Sequence, residues 1–173
     1  DHCKQILKGL LDLGRIEEMD FDPMDLREAA RGALNAMATQ MKNRGVDVDV
    51  SGLDRPLLVS GDQSLLQEAV VALLQNALDA VGDAGGVTLT AGRSRDGLVQ
   101  LTVEDNGKGI SEENIDRLFE PFFTTKGTEG SGLGLSAALR ILQKHNGHVE
   151  AHSDGAGTGA RFTMTLPPAK EMS

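Results

Sequence analysis

Residues 62–81, DQSLLQEAVVALLQNALDAV, restrict the fold more than any other stretch. Wound at about 100° per residue, Leu66, Val70, Leu73, Leu74, Ala77 and Val81 share one face of a helix. Glu68, Gln75, Asn76 and Asp79 gather on the opposite side. An apolar stripe of this length requires a second layer to cover it. The polar stripe is either a solvated surface or the wall of a site.

The rest of the chain supplies that layer. Met24 to Arg44 repeats the helical period, with Asp25 able to cap its start and Gly45 placed to end it. VDVDV, residues 46–50, reads as a half-buried strand and LLVS, residues 57–60, as a more buried one. GVTLTAGRS and LVQLTVEDNG form a hairpin joined around Arg95, Asp96 and Gly97. Ser111 opens a short helix through Phe119, and residues 120–130 have no period and read as a loop. A helix from Gly132 to Asn146 ends at Gly147, after which HVEAHSD and ARFTMTLP make two closing strands. Cys3 to Met19 is a further amphipathic helix, cut off by FDP. The pattern predicts an α/β fold, a two-layer sandwich with an N-terminal helical arm.

Composition narrows the function. A formal net charge of -9 with no Trp or Tyr argues against nucleic acid as a partner. The apolar runs fall short of the roughly 20 residues of a membrane helix, so no membrane contact is expected of these residues. A single cysteine, Cys3, allows no internal disulfide. The chain opens at Asp1 and is read as a piece of a longer protein.

Five segments in order carry the functional signal: LLQEAVVALLQNALDAV, DNGKGI, LFEPFFTTK, GSGLGLS and GAGTGARF. Together they resemble the N, first glycine, F, second glycine and final glycine motifs of the sensor histidine kinase catalytic domain, a member of the Bergerat-fold superfamily that includes gyrase and the heat-shock chaperone ATPases. The resemblance implies a mixed, largely antiparallel sheet on one layer, helices on the other, and ATP and Mg²⁺ as ligands. It implies ATP contacts from Asn76, Asp79, Asp105, Gly107, Gly109, Ile110 and Phe119, then Thr124, Thr125 and Lys126 of a lid, then Ser131, Gly132, Leu133, Gly134 and Leu135, and finally Thr163.

The chemistry of these residues agrees. The amide oxygen of Asn76 is a neutral, hard ligand for Mg²⁺, which takes most of its other ligands from phosphates and water. Asp105 ends the strand LTVED just before glycines that would let a base approach the backbone. Its carboxylate is expected to accept from the adenine amino group; a simple Asx-turn role is the alternative. Gly132 and Gly134 stand where free N–H groups and the helix dipole attract phosphate. Lys126 either meets the terminal phosphate or is solvated, and Phe119, Phe122 and Phe123 either anchor the lid or belong to the core. Glu68 matches the family's acidic residue two turns before the Asn, a base or orienting group. Ala72 departs from the family pattern, which often has a second Asn there, and the gyrase-type ATPases carry their water-activating Glu at that turn.

On this reading residues 1–22 are the end of a dimerisation hairpin helix and its linker, 23–169 the ATP-binding domain and 170–173 a tail. None of the contexts DHCK, KHNGHVE and EAHSD resembles the acceptor-histidine motif, and such histidines are ordinarily surface or strand decoration. The expected partners are therefore a histidine-bearing dimerisation domain of the parent chain and a response regulator receiver domain. The parent is expected to be a homodimer in the bacterial cytoplasm, membrane-anchored or not. A nucleotide-sensing, regulator-docking module without kinase activity is the alternative.

Overall fold

The computed structural model describes residues 21–123 and 134–169. The chain order is β1 (Asp22–Asp25), α1 (Leu26–Asn43), β2 (Asp47–Gly52), β3 (Leu58–Gly61), α2 (Gln63–Val81), β4 (Gly86–Arg93), β5 (Val99–Asp105), α3 (Glu112–Ile115), α4 (Gly134–Lys144), β6 (His148–His152) and β7 (Ala160–Leu166).

The two long helices start where their caps dictate. Asp25 Oδ1 accepts from Arg27 N at 3.0 Å and from Leu57 N at 3.1 Å, so one carboxylate both caps α1 and holds β3 beside it. Asp62 Oδ1 accepts from Leu65 N at 3.1 Å and caps α2. Gly82, at φ 67°, stops α2. α2 is the central helix: Leu66, Ala69, Val70, Leu73, Leu74 and Leu78 are all fully buried. α1 and α4 pack along it on either side, and β5 runs beneath it.

The main sheet has five strands in the order β2-β4-β5-β7-β6. β2 runs parallel to β4 and every other pairing is antiparallel, so the sheet is mixed and largely antiparallel as expected. Alternation decides its faces. Val99, Leu101 and Val103 of β5 and Phe162 and Met164 of β7 point to the helices, whereas Thr102 and Thr163 meet on the outer face with their hydroxyls 3.2 Å apart.

LLVS is the more buried strand, with Leu57 and Val59 buried; β3 pairs antiparallel with β1 in a separate two-stranded sheet. Two expectations change. β2 is an edge strand with most residues exposed, and its Asp47 and Asp49 suit an edge that must resist further pairing. The helix expected to run from Ser111 to Phe119 ends at Ile115, and Ser111 makes no side-chain cap.

The C-terminal end of α4 refines a third. The left-handed residue there is Asn146, at φ 60°, and Gly147 N returns to Leu142 O at 2.8 Å. Gly147 is needed because a Cβ would lie 2.2 Å from Thr165 O. Residues 1–20, on which the expected arm helix and Cys3 fall, lie outside the described residues, as do 170–173. Among the described residues no helix is long and apolar enough to cross a membrane.

Candidate functional site: a glycine-walled cleft at the end of the sheet

A cleft of about 470 Å³, counted out to its open mouth, lies between the C-terminal half of α2 and the loop after β5. Asn76, Asp79 and Ala80 of α2 form one wall and Lys108, Gly109 and Ile110 the facing one. Asn114 and Leu118 close one side, and Ala160 and Phe162 of β7 form the floor. Phe119 sets its ring edge-on to Phe162, with centroids 6.3 Å apart, and so supports that floor.

Asp105 stands at the end of β5, opposite Ala160 in the strand register, and is buried at 5% exposure. Its Oδ1 accepts from Gly107 N at 2.9 Å, the Asx turn considered as an alternative above. Its Oδ2 is fully buried with no hydrogen-bond partner among the described residues. Burial pushes its pKa up, against the pull of the Gly107 and Ala160 amides, and Glu104 adds to the rise. One carboxylate thus holds the turn with one oxygen and leaves the other enclosed at the border of the cleft, next to its Ala160 floor.

The glycines around Asp105 have a reason that local spacing did not reveal. A Cβ on Gly107 would lie 2.3 Å from Ala80 O, and one on Gly109, at φ 73°, would lie 2.1 Å from Gly155 O. What these glycines admit is the protein's own backbone. Lys108 N donates to Ala80 O at 3.0 Å, Gly157 N to Lys108 O at 2.6 Å and Gly159 N to Gly107 O at 3.1 Å. The DNGKGI loop is therefore laced to the end of α2 on one side and to the GAGTGA loop on the other.

The polar stripe of α2 is half-buried rather than solvated. Gln75 Nε2 donates to Asp79 Oδ1 at 3.0 Å, and Arg44 Nη1 lies 4.0 Å from the same oxygen. Glu68 is half-buried two turns before Asn76. Gly134, the first residue of α4, comes up against Ala72, whose Cβ is 3.9 Å from where a glycine side chain would begin. Leu135 packs against the core. The start of α4 therefore adjoins the α2 turn between Glu68 and Asn76.

Of the expected site residues, Asn76, Asp79, Gly109 and Ile110 line the cleft and Asp105, Gly107 and Phe119 support it. Thr163 does not: alternation along β7 turns it to the outer face beside Thr102, away from Ala160 and Phe162. Thr124, Thr125, Lys126, Ser131, Gly132 and Leu133 lie outside the described residues. Ala80, Lys108, Asn114, Leu118, Ala160 and Phe162 were not anticipated in the cleft. The apolar side of A-R-F-T-M-T-L, read at period two, is the signal that selects Phe162 over Thr163.

The histidines bring one further correction. His145 is buried at 3% exposure, not surface decoration. Burial holds its pKa below the usual histidine value, although the Ile141 carbonyl and Asp62 favour the charged form.

Sheet, helix layer and cleft together are those of a nucleotide-binding α/β domain. The chain belongs to the histidine kinase-, DNA gyrase B- and HSP90-like ATPase family, whose model matches residues 61–170. It is 30% identical over 167 residues to the sensor histidine kinase ZraS of Klebsiella oxytoca, covering 96% of this chain and 36% of that protein. The catalytic domain of histidine kinase ThkA superposes with a TM-score of 0.78 at 28% identity, over 87% of this chain and 97% of that one. Full-length ShkA in complex with AMPPNP gives a TM-score of 0.83 at 26% identity, over 99% of this chain and 37% of that one. The chain spans about a third of the length of the curated sensor kinases it matches.

Proposed function

We propose that this chain is the catalytic domain of a two-component sensor histidine kinase. It binds Mg-ATP in the cleft and transfers the γ-phosphate to a histidine on the parent's dimerisation domain, for relay to a response regulator receiver domain. The observation that carries this reading is Asp105. A buried carboxylate whose second oxygen makes no full hydrogen bond, at the strand end beside the Ala160 floor of the cleft, is costly unless a ligand donor completes it. The exocyclic amino group of adenine is such a donor. Guanine would present a carbonyl at that position, leaving two acceptors face to face, which favours ATP over GTP.

The other roles follow from position. Ile110, Ala160 and Phe162 offer apolar surface to the base. Gly132 and Gly134 receive phosphates at the start of α4, and Lys126 meets the terminal one. Asn76 presents an amide oxygen to Mg²⁺; when bound, the ion neutralises phosphate charge. A lone neutral amide fits an ion that takes its other ligands from the nucleotide and water. In the transfer an imidazole nitrogen of the acceptor bonds to the γ-phosphorus while its bond to the bridging oxygen of ADP breaks. Glu68 orients the imidazole and takes up its proton, a modest role in a reaction governed by positioning. Residues 1–22 are assigned to the end of the hairpin helix and linker, 23–169 to the catalytic domain and 170–173 to a tail. The parent works as a cytoplasmic homodimer, and these residues need no contact with membrane or nucleic acid.

The test mixes this chain with a hairpin fragment bearing the acceptor histidine and γ-labelled ATP. Acid-labile label on the hairpin is expected. Saturable ATP binding without transfer, in the mixture and in the intact parent, would instead favour a nucleotide-sensing module that docks a regulator. Ala72 is the residue that favours that second reading, since it removes a polar group from the turn facing α4.

A further inference from the structure

Ser153, in the turn between β6 and β7, takes no part in the roles above, yet its hydroxyl sits at the crossing of the two glycine loops. Its Oγ accepts from Ile110 N at 3.0 Å and from Gly155 N at 3.2 Å, and donates to Gly159 O at 2.7 Å. A contact to Gly155 O at 3.2 Å is longer. A serine hydroxyl has one proton and two lone pairs. The short bond to Gly159 takes the proton and the two amides fill the lone pairs, so the group is saturated.

The partners matter more than their number. Ile110 walls the cleft, and Gly159 directly precedes Ala160, which floors it. One hydroxyl therefore fixes the backbone of two adjoining surfaces of the cleft, a wall and the floor. The neighbouring backbone bonds, from Gly157 N to Lys108 O and from Gly159 N to Gly107 O, join the same loops but leave Ile110 N to Ser153. Thr158 Oγ1 stiffens the loop from within by donating to Gly155 O at 2.7 Å. Gly155, Gly157 and Gly159 all have positive φ, a backbone with little stiffness of its own.

We propose that Ser153 is a positioning residue for nucleotide binding: its hydroxyl latches the DNGKGI loop to the GAGTGA loop and sets the width of the adenine end of the cleft. The inference rests on the reading of that cleft as an ATP site. Because the latch stands at the base and not at the phosphates, its loss weakens ATP and ADP by the same factor. A residue needed only for general stability would lower the melting temperature without moving the affinity of the folded chain.

The experiment measures ATP and ADP affinity by calorimetry for the unaltered chain, Ser153→Ala and Ser153→Thr, at a temperature where circular dichroism shows each folded. Ser153→Ala is expected to lose roughly tenfold or more for both nucleotides, from the unpaired Ile110 and Gly155 amides. Ser153→Thr, which keeps the hydroxyl, is expected to recover most of that loss. Unchanged affinity in Ser153→Ala, with the unaltered chain binding ATP, overturns the latch and leaves the ATP reading intact. Failure of the unaltered chain to bind ATP overturns both. Amide exchange in the unaltered, nucleotide-free chain tests the latch without any variant: Ile110 N–H should be protected, and exchange as fast as that of an open loop would overturn it.

Discussion

The backbone N–H of Asp62 donates to Nε2 of His145 across 3.1 Å, while Nδ1 of the same ring meets Ile141 O at 2.7 Å. The two partners define the tautomer: Nδ1 carries the proton and Nε2 is an acceptor. The start of α2 is thereby tied to the end of α4. The ring also takes an edge contact from Phe21, with centroids 5.0 Å apart, at the beginning of the described chain.

This bond makes stability depend on pH. Folding keeps His145 neutral, so the unfolded chain binds the proton more readily in the window below the ordinary histidine value of 6.5. The contribution is therefore whole above about pH 6.5 and declines as pH falls toward the depressed folded-state value. Urea unfolding followed from pH 8 to pH 5 should show this loss, and His145→Gln should flatten it. An identical slope in the variant would assign the acid sensitivity to other groups.

Gly109 and Gly97 separate close packing from backbone conformation. Both have positive φ, 73° and 83°, but a Cβ on Gly97 meets nothing within 4 Å, whereas one on Gly109 meets Gly155 O at 2.1 Å. Gly97→Ala should cost about 1–2 kcal/mol, the ordinary penalty for a left-handed residue. Gly109→Ala should cost clearly more and also weaken nucleotide binding, because the loops must part. Denaturant midpoints for the two variants check the order, and equal costs would contradict the packing argument.

Asn76 gives a prediction specific to metal. If its amide oxygen meets Mg²⁺ on the bound nucleotide, adding Mg²⁺ should tighten ATP binding in the unaltered chain much more than in Asn76→Ala. Chelation with EDTA should bring the two proteins close together. Calorimetry with and without the ion reads this directly, and equal enhancement in both would remove Asn76 from the metal's shell.

Much of this was legible in the residues, and what was missed has a physical reason. α2, the Asp25 cap of α1 and the β4–β5 hairpin rest on local period and turn chemistry, so the sequence located them within a residue or two. The partner of β3 was not legible, because pairing with β1 across α1 is a long-range choice that LLVS does not encode. His145 ends a helix in KHNG, a surface-like context, and is buried only because α2 begins over it. Thr163 was a misreading of available information, since the alternation of Ala160, Phe162 and Met164 already placed it on the other face. The glycines of DNGKGI were found by motif, but their need became visible only with Ala80 and Gly155 packed against them.

The most direct test of the account is ATP binding by Asp105→Asn, measured by calorimetry beside the unaltered chain. Asn can keep the bond to Gly107 N but places a donor where adenine would bring its own. ATP affinity should fall by roughly 1.5 to 3 kcal/mol, about 10- to 150-fold. The ligand-free variant should melt no lower than the parent, since a buried carboxylate with a raised pKa is destabilising when ionised. Loss of affinity with stability retained is the predicted result. Equal ATP affinity in the two proteins would contradict the assignment of Asp105 to the base and, with it, the reading of the cleft.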